Sequence, residues 1–122
     1  KENETVASIY NNLGSLYYTA GFPDQAKDVF EQALSIRTKL LGADHADVAQ
    51  SLCNLATVHH ELGNNVESLD CYQKSLSILE AHLPDKHGSY IATGEDYLAV
   101  LGSLGEDDKA AEFQAQMQKL LA

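Results

Sequence analysis

Between Val6 and Ala20 the apolar side chains recur at three- and four-residue steps: Val6, Ile9, Tyr10, Leu13, Leu16, Tyr17 and Ala20. That is the period of one face of an α-helix. Gly21 ends the run, since glycine takes the left-handed cap conformation at little cost. Pro23 then suits the first turn of a second helix. This helix carries Ala26, Val29, Phe30, Ala33, Leu34, Ile36, Leu40 and Leu41 on one broad face and stops at Gly42. The same two-part phrase returns with Leu52, Leu55, Val58 and Leu62 before Gly63, then Val66, Leu69, Tyr72, Leu76, Ile78, Leu79 and Leu83 before Pro84. A third phrase runs Ile91, Tyr97, Leu98, Leu101 and Leu104 before Gly105, then Ala110, Phe113, Met117, Leu120 and Leu121. β-branched residues are scattered singly and never alternate over a strand's length. The pattern predicts six helices, arranged as three antiparallel hairpins, and no strand.

Gly21, Gly63 and Gly105 stand 42 residues apart, and the interval is a true internal repeat. Residues 6–47 laid over 48–89 pair Val6 with Val48, Ala7 with Ala49, Asn12-Leu13 with Asn54-Leu55, and Asp28 with Asp70. Leu34-Ser35-Ile36 meets Leu76-Ser77-Ile78, and His45 meets His87. The third copy, 90–122, keeps Gly105 and Ala110 but places Gly94, Gly102 and Gln114 where larger or apolar residues stood. Small residues at Gly14, Ala20, Ala26, Ala33 and Ala56 are expected to let helix axes approach, with Tyr10, Tyr17, Phe30 and Tyr72 filling the space between. A supersecondary unit repeated at this period stacks into a solenoid with an extended surface rather than a closed pocket.

Composition narrows the partners. The chain of 122 residues is one domain's worth, and its 18 acidic against 8 basic residues give a formal charge of −10. That balance disfavours nucleic acid and anionic membrane, which reward lysine and arginine, and favours neutral or basic partners. No apolar run reaches the about 18 residues of a membrane-spanning helix. The start, from Lys1 to Thr5, is polar, and no signal peptide is visible in the residues given. Cys53 and Cys71 fall inside helical patterns without a C-x-x-C neighbour, as expected of reduced thiols in a cytoplasmic protein.

Candidate chemistry changes the picture little. His59 and His60 are adjacent and diverge by about 100° on a helix, so they do not share a metal readily. His45 and His87 occupy equivalent loops and read as residues that fix the entry of the next helix. His59 reads as a packing residue, while Tyr18 and His60 edge the groove described below. No phosphate loop, nucleophile elbow or zinc-protease motif occurs. Asp24, Asp44, Asp47, Asp85 and the Glu106-Asp107-Asp108 run stand at helix starts, where negative charge suits the helix dipole. The expectation is a non-enzyme with no metal and no cofactor.

The elements Leu13-Gly14-x-x-Tyr17, Gly21, Ala26, Phe30 and Ala33 resemble the tetratricopeptide repeat. The repeat is longer than the usual form. Its loop from Leu41 to Ala49, followed by Leu52-Cys53-Asn54-Leu55-Ala56, is similar to the kinesin-light-chain and nephrocystin class. The resemblance implies a right-handed superhelix whose first helices line a concave, peptide-binding groove. It also implies that Asn12 and Asn54 hydrogen-bond a ligand's backbone, with Asp96 standing at the third rung.

Helical geometry picks out the strip opposite the apolar stripe on each first helix. It comprises Ser8, Asn11, Asn12, Ser15 and Thr19; Gln50, Cys53, Asn54, Thr57 and Glu61; and Glu95 and Asp96. Amides and hydroxyls can satisfy a peptide backbone without demanding one side chain. The strip holds no lysine or arginine, which argues against a carboxylate clamp and for a neutral or basic ligand. The reading is an interaction module that binds a partner protein or peptide in this groove. The alternative is a structural piece of a longer array, or self-association through the end faces. The chain starts in a loop ahead of a repeat, and its final Leu120-Leu121-Ala122 does not read as a polar cap.

Overall fold

The computed structural model describes residues 3–122, so Lys1 and Glu2 of the polar start lie outside the described residues. Among the described residues there is no strand. The helices are α1 (Glu4–Thr19), α2 (Pro23–Leu41), α3 (Ala46–Glu61), α4 (Asn65–Ala81), α5 (His87–Ser103) and α6 (Asp107–Leu121). Each packs on the helix before and after it, which makes three hairpins stacked in chain order: an all-α solenoid. None of the helices is long and apolar enough to cross a membrane.

The three glycines do one job three times. Gly21, Gly63 and Gly105 have φ of 89°, 80° and 74°, which a side chain would disfavour. Each allows a paired closure of the helix end. Phe22 N–H donates to Tyr17 O at 2.8 Å and Gly21 N–H to Tyr18 O at 3.2 Å. Asn64 and Gly63 donate likewise to His59 and His60, and Glu106 and Gly105 to Leu101 and Gly102. These bonds use carbonyls that the helix end leaves open, and they set the turn into the second helix.

Inside the first hairpin, Phe30 lies against the bare backbone of Gly14, where an added Cβ would come within 2.5 Å of the ring. Phe30 and Ala26 also meet Leu55 and Val58 of α3, so one ring joins its own hairpin to the next. In the second hairpin Tyr72 takes the place of Phe30 and Ala56 that of Gly14, in one buried cluster with Tyr97, Val100 and Leu101 of α5. Ser68 and Ser75 replace Ala26 and Ala33. Both are fully buried, and their hydroxyls donate to Ala56 O and Ala49 O, each at 2.7 Å. Those bonds remove the penalty of an unpaired buried hydroxyl.

The third hairpin is repacked rather than degraded. Its aromatic ring moves one residue, from the Gln114 position to Phe113, which meets Tyr97 edge-on at 5.0 Å and Tyr90 at 6.4 Å. Met117 stands where the earlier copies have Ala33 and Ser75, and Gly94 makes room for it where they have Tyr10 and Leu52. A Cβ on Gly94 would lie 2.8 Å from Met117 Sδ.

Several positions differ from the periodic reading. Ile9 is 57% and Leu16 67% exposed, and Ala20 is exposed too, because no helix lies on that face of α1. Their repeat equivalents Ser51 and Val58 are covered by α2 and fully buried. Leu40 and Leu41 are exposed because α2, 19 residues long, overhangs the 16-residue α1. Val66 is exposed at the start of α4, at the position of Asp24 in the first copy. At the far end, Gln114 and Gln118 stand exposed at the positions of Phe30 and Leu34, so the outward stacking face of α6 is polar despite its terminal leucines.

Leu55, 3% exposed within the inter-hairpin cluster, is expected to cost about 2–5 kcal/mol on substitution with alanine. Gly14→Ala is expected to cost about 1–3 kcal/mol, with part of the loss recovered by a second change, Phe30→Leu. Urea unfolding of the three variants measures both. A neutral Gly14→Ala would mean that the Phe30 ring can move away freely.

Candidate ligand groove on the first-helix face

The face built by α1, α3 and α5 is positioned by the second helices beneath it. Tyr72 reaches up from α4 between α3 and α5. Its hydroxyl lies 3.3 Å from Thr57 Oγ1, and its ring is 6.0 Å from that of Tyr97. Burial pushes the Tyr72 phenol up to about 12, against the Thr57 hydrogen bond and with added repulsion from Cys53, Asp96 and Tyr18. Those groups therefore share one neighbourhood. Thr93 Oγ1 of α5 donates to Cys53 Sγ at 3.8 Å and ties the two first helices together.

Between α3 and α5 lies a depression of about 170 Å³, lined by Gln50, Cys53, Asn54, Leu79, Ser89, Ala92 and Thr93. Three members of the sequence-derived strip, Gln50, Cys53 and Asn54, thus come together there. Ser89, Ala92 and Thr93 were missed by sequence reasoning. The signal for them was available, since α5 presents Thr93 at the repeat position of Ser51 toward the preceding first helix. A wider depression of about 570 Å³ lies between α2 and α4, with Leu34, Val48, Leu52 and Ile78 as an apolar floor and Thr38, Asp44, Asp70, Gln73, Lys74 and Ser77 around it. The smaller depression is the one that opens on the face built by the first helices.

Asn12, Ser15, Thr19, Gln50, Glu61, Glu95 and Asp96 are exposed, and Ser8, Cys53, Asn54 and Thr57 are half-buried. Asn11 departs from the strip. It is only 8% exposed and is held from below by Arg37 of α2. With its amide oxygen turned toward the guanidinium, Asn11 accepts from Nη1 at 2.6 Å and Nη2 at 3.0 Å. Arg37, 6% exposed, also donates from Nε to Glu4 Oε1 at 3.1 Å. Its Nη1 reaches Ser51 Oγ at 3.1 Å, Gln50 Oε1 at 3.2 Å and Asp47 O at 3.3 Å. One buried cation so fastens α1, α2 and α3. The strip itself holds no lysine or arginine, and the one cation seen to touch it, Arg37 of α2, turns its donors to protein acceptors. The spacing Ala26, Phe30, Ala33, Arg37 put this residue in the buried stripe, and its repeat equivalent is the buried Leu79.

The charges on this side are one-signed apart from that buried group. Helices α1, α3 and α5 contain Glu4, Asp47, Glu61, Glu95 and Asp96 and no lysine or arginine. Partial burial, with Glu95 adding to it, raises the Asp96 carboxyl above its ordinary range. Burial raises the Cys53 thiol and pushes that of Cys71 up to about 11, so neither favours a nucleophilic thiolate. Among the described residues no group of three or more His, Cys, Asp or Glu could hold a metal ion. His45 Nδ1 accepts from Asp47 N–H at 3.0 Å and caps α3. His87 is instead the first residue of α5, which has no side-chain cap, so the equivalence of the two loop histidines ends in sequence.

Comparison with known proteins follows this architecture. The family model for the tetratricopeptide repeat matches residues 5–81. The clustered mitochondria protein homolog of Emericella nidulans is 26% identical over 113 residues, which is 92% of this chain and 9% of that protein. The Coccidioides immitis homolog is 27% identical over 99 residues, 81% of this chain and 8% of that one. The chain therefore spans about a tenth of the length of these relatives. Among solved structures, BtubC (BKLC) from P. vanneervenii superposes with a TM-score of 0.89 at 21% identity, over 98% of this chain and 48% of that one. A Podosopora anserina kinesin light chain with nearly identical TPR-like repeats gives 0.82 at 21% identity, over 98% and 57%. These two likenesses concern the fold.

Arg37→Ala leaves Asn11 and Ser51 with unmet acceptors and unties three helices. Its expected cost is about 2–4 kcal/mol by urea unfolding, whereas Glu4→Gln, at a half-exposed partner, is expected to cost less than about 1 kcal/mol. Equal losses from the two would show that the ion pair, and not the buried neutral acceptors, carries the effect.

Proposed function

This chain belongs to the tetratricopeptide-repeat family, whose fold generally mediates protein–protein interaction, and we propose that it binds an extended peptide of a partner protein along α1, α3 and α5. The observation that carries the reading is the convergence of Gln50, Asn54, Ser89 and Thr93 on one half-open depression between α3 and α5. These side chains offer both donors and acceptors to a peptide backbone. Asn12 lies one repeat from Asn54 and extends the same row, while Asp96 ends it. Asn11 serves the scaffold through Arg37 and is not a ligand contact in this proposal.

The partner's chemistry follows from charge. Glu61, Glu95 and Asp96 stand exposed on a face with no free cation of its own helices, so a basic or neutral segment is favoured over an acidic one. The elevated Asp96 carboxyl fits this role. It ionises at a cost to the free protein, and a ligand cation relieves that cost. The repeat fold is typically a non-enzymatic scaffold, and the raised thiols agree with a binding role without catalysis. Two unpaired cysteines fit a reducing compartment, and we place the protein in the cytoplasm.

The combined change Asn12→Ala and Asn54→Ala is expected to weaken a display-selected peptide by about tenfold or more, with the melting temperature moved by no more than a few degrees. Unchanged affinity sinks the groove assignment. Asp96→Asn separates charge from fold. The folded pKa of Asp96 lies above its unfolded value of about 3.9, so the ionised group opposes folding at neutral pH. The variant is expected to melt higher at pH 7, with the gain fading as pH falls and the native carboxyl takes up its proton. It is expected to bind a lysine-rich peptide more weakly and an acidic one no worse. A stronger hold on acidic than on basic peptides by the unmodified protein would overturn the charge argument.

A further inference from the structure

The second-helix side of the stack carries a cleft that recurs from one repeat to the next. Between α2 and α4 it measures about 570 Å³, and between α4 and α6 about 380 Å³. Leu34, Thr38, Asp70 and Lys74 line the first. Leu76, Glu80, Glu112 and Gln116 stand at the same repeat positions in the second. The floors differ. Val48 and Leu52 of α3 open onto the first cleft. In the third hairpin Tyr90 takes the position of Val48 and is fully buried, in one cluster with Leu76 and Phe113, which line the second cleft. Met117 fills the place over Gly94, at the position of Leu52. The chain's own aromatic bulk thus occupies the matching floor of the second cleft, while the first stays open. Its two walls, α2 and α4, and its floor, α3, all belong to the chain, so this cleft lies within the stack and not at an end of it.

We propose that the α2–α4 cleft receives an aromatic side chain of a partner protein, from a segment that carries lysine or arginine beside the ring. Tyr90 at the matching position identifies a ring as the group that such a floor accepts. A volume of about 570 Å³ is that of a ligand cleft, and aromatic side chains are the usual anchors in protein contacts of this kind. Charge selects the flanking residue. Lys74 is held by Asp70 at 3.0 Å, whereas the exposed Asp44 carboxylate has no ion-pair partner among the described residues. The loop that carries it is fastened, since His82 Nε2 at the end of α4 lies 2.9 Å from Asp44 O. A cation beside the ring meets that uncompensated charge, and an acidic segment is repelled by it. A second copy of this chain is unsuited. Its exposed aromatic residues, Tyr18 and Phe22, have no lysine or arginine within three residues, and Asp24 stands close to Phe22. The cleft is separate from the groove on α1, α3 and α5, and its assignment does not rest on that reading.

The test selects short random display peptides on the full chain carrying Asn12→Ala and Asn54→Ala, so that the asparagine rungs contribute nothing to the result. The enriched peptides are expected to carry an aromatic residue next to lysine or arginine. The best of them, made synthetically, is expected to bind about tenfold or more weakly once Val48→Tyr is added, which imitates the floor of the third hairpin. Asp44→Lys is expected to weaken it several-fold and to reduce its salt dependence. Ser77→Arg, at an exposed position on the rim, obstructs the same entry without touching the core, and is expected to match Val48→Tyr even where that variant folds poorly. An empty selection overturns the proposal, as do enriched peptides that lack a ring or prefer acidic neighbours. Undiminished binding to the Ser77→Arg protein overturns it as well. A dimer in sizing that Ser77→Arg disperses would assign the cleft to a second copy and overturn it too.

Discussion

Everything in this stack depends on a ring lying against a small residue. Phe30 closes on Gly14, and Tyr72 takes the same place beside Ala56, so the second helix of each hairpin sits close enough to its first helix for one aromatic side chain to touch two units. The dense packing of a protein interior makes this constraint sharp, because neither partner can change volume alone. The third hairpin shows the constraint from the other side. When Gln114 replaces the ring, Phe113 supplies one from the next position, and the large–small pairing of the two helices inverts to Met117 over Gly94. The volume is conserved while the sequence pattern is not.

That difference explains how much was legible. The helix period and the three positive-φ glycines are local properties, and they locate six helices and their turns without tertiary knowledge. The first two hairpins share their packing residues, so their cores follow from the alignment of the copies. The third looked worn only because a one-residue shift of the ring breaks a register comparison while leaving the packing intact. Ile9 and Leu16 lie on the apolar face the period predicts, yet they stay exposed. Periodicity reveals which face is apolar but not whether a neighbour covers it, and on α1 none does.

Arg37 was hidden by its own chemistry. Its position fits the buried stripe, yet a cation there contradicts the hydrophobic pattern and so drops out of it. The structure resolves the contradiction with acceptors from two helices: Glu4 and Asn11 of α1, and Gln50, Ser51 and the Asp47 carbonyl of α3. The repeat holds leucine at the same place in α4, which shows that an apolar side chain meets the packing requirement there. What arginine adds is direction. Its planar fork fixes the relative setting of α1 and α3, and these two helices carry Asn12 and Asn54, the first two rungs of the proposed groove. The same network takes Asn11 out of the ligand face, so one residue sets the spacing of the rungs and removes a neighbour from them.

Charge and hydrogen bonding then divide the work in the proposed groove. Every described lysine and arginine lies outside the first helices, and Arg37, which reaches them from α2, points inward at protein acceptors. In the proposal, Glu61, Glu95 and Asp96 share the ligand's face with the amides. A field of this kind acts over about 8 Å at physiological ionic strength, and in the proposal it governs encounter and disfavours acidic segments. Amide and hydroxyl contacts act only at hydrogen-bond distance and govern how long the ligand stays. Because Asn54 and Thr93 sit at a junction braced by Tyr72, Thr57 and Cys53, their geometry is set by the same aromatic wedge that stacks the hairpins. The ring that holds the units together therefore also positions the groups proposed to read a partner.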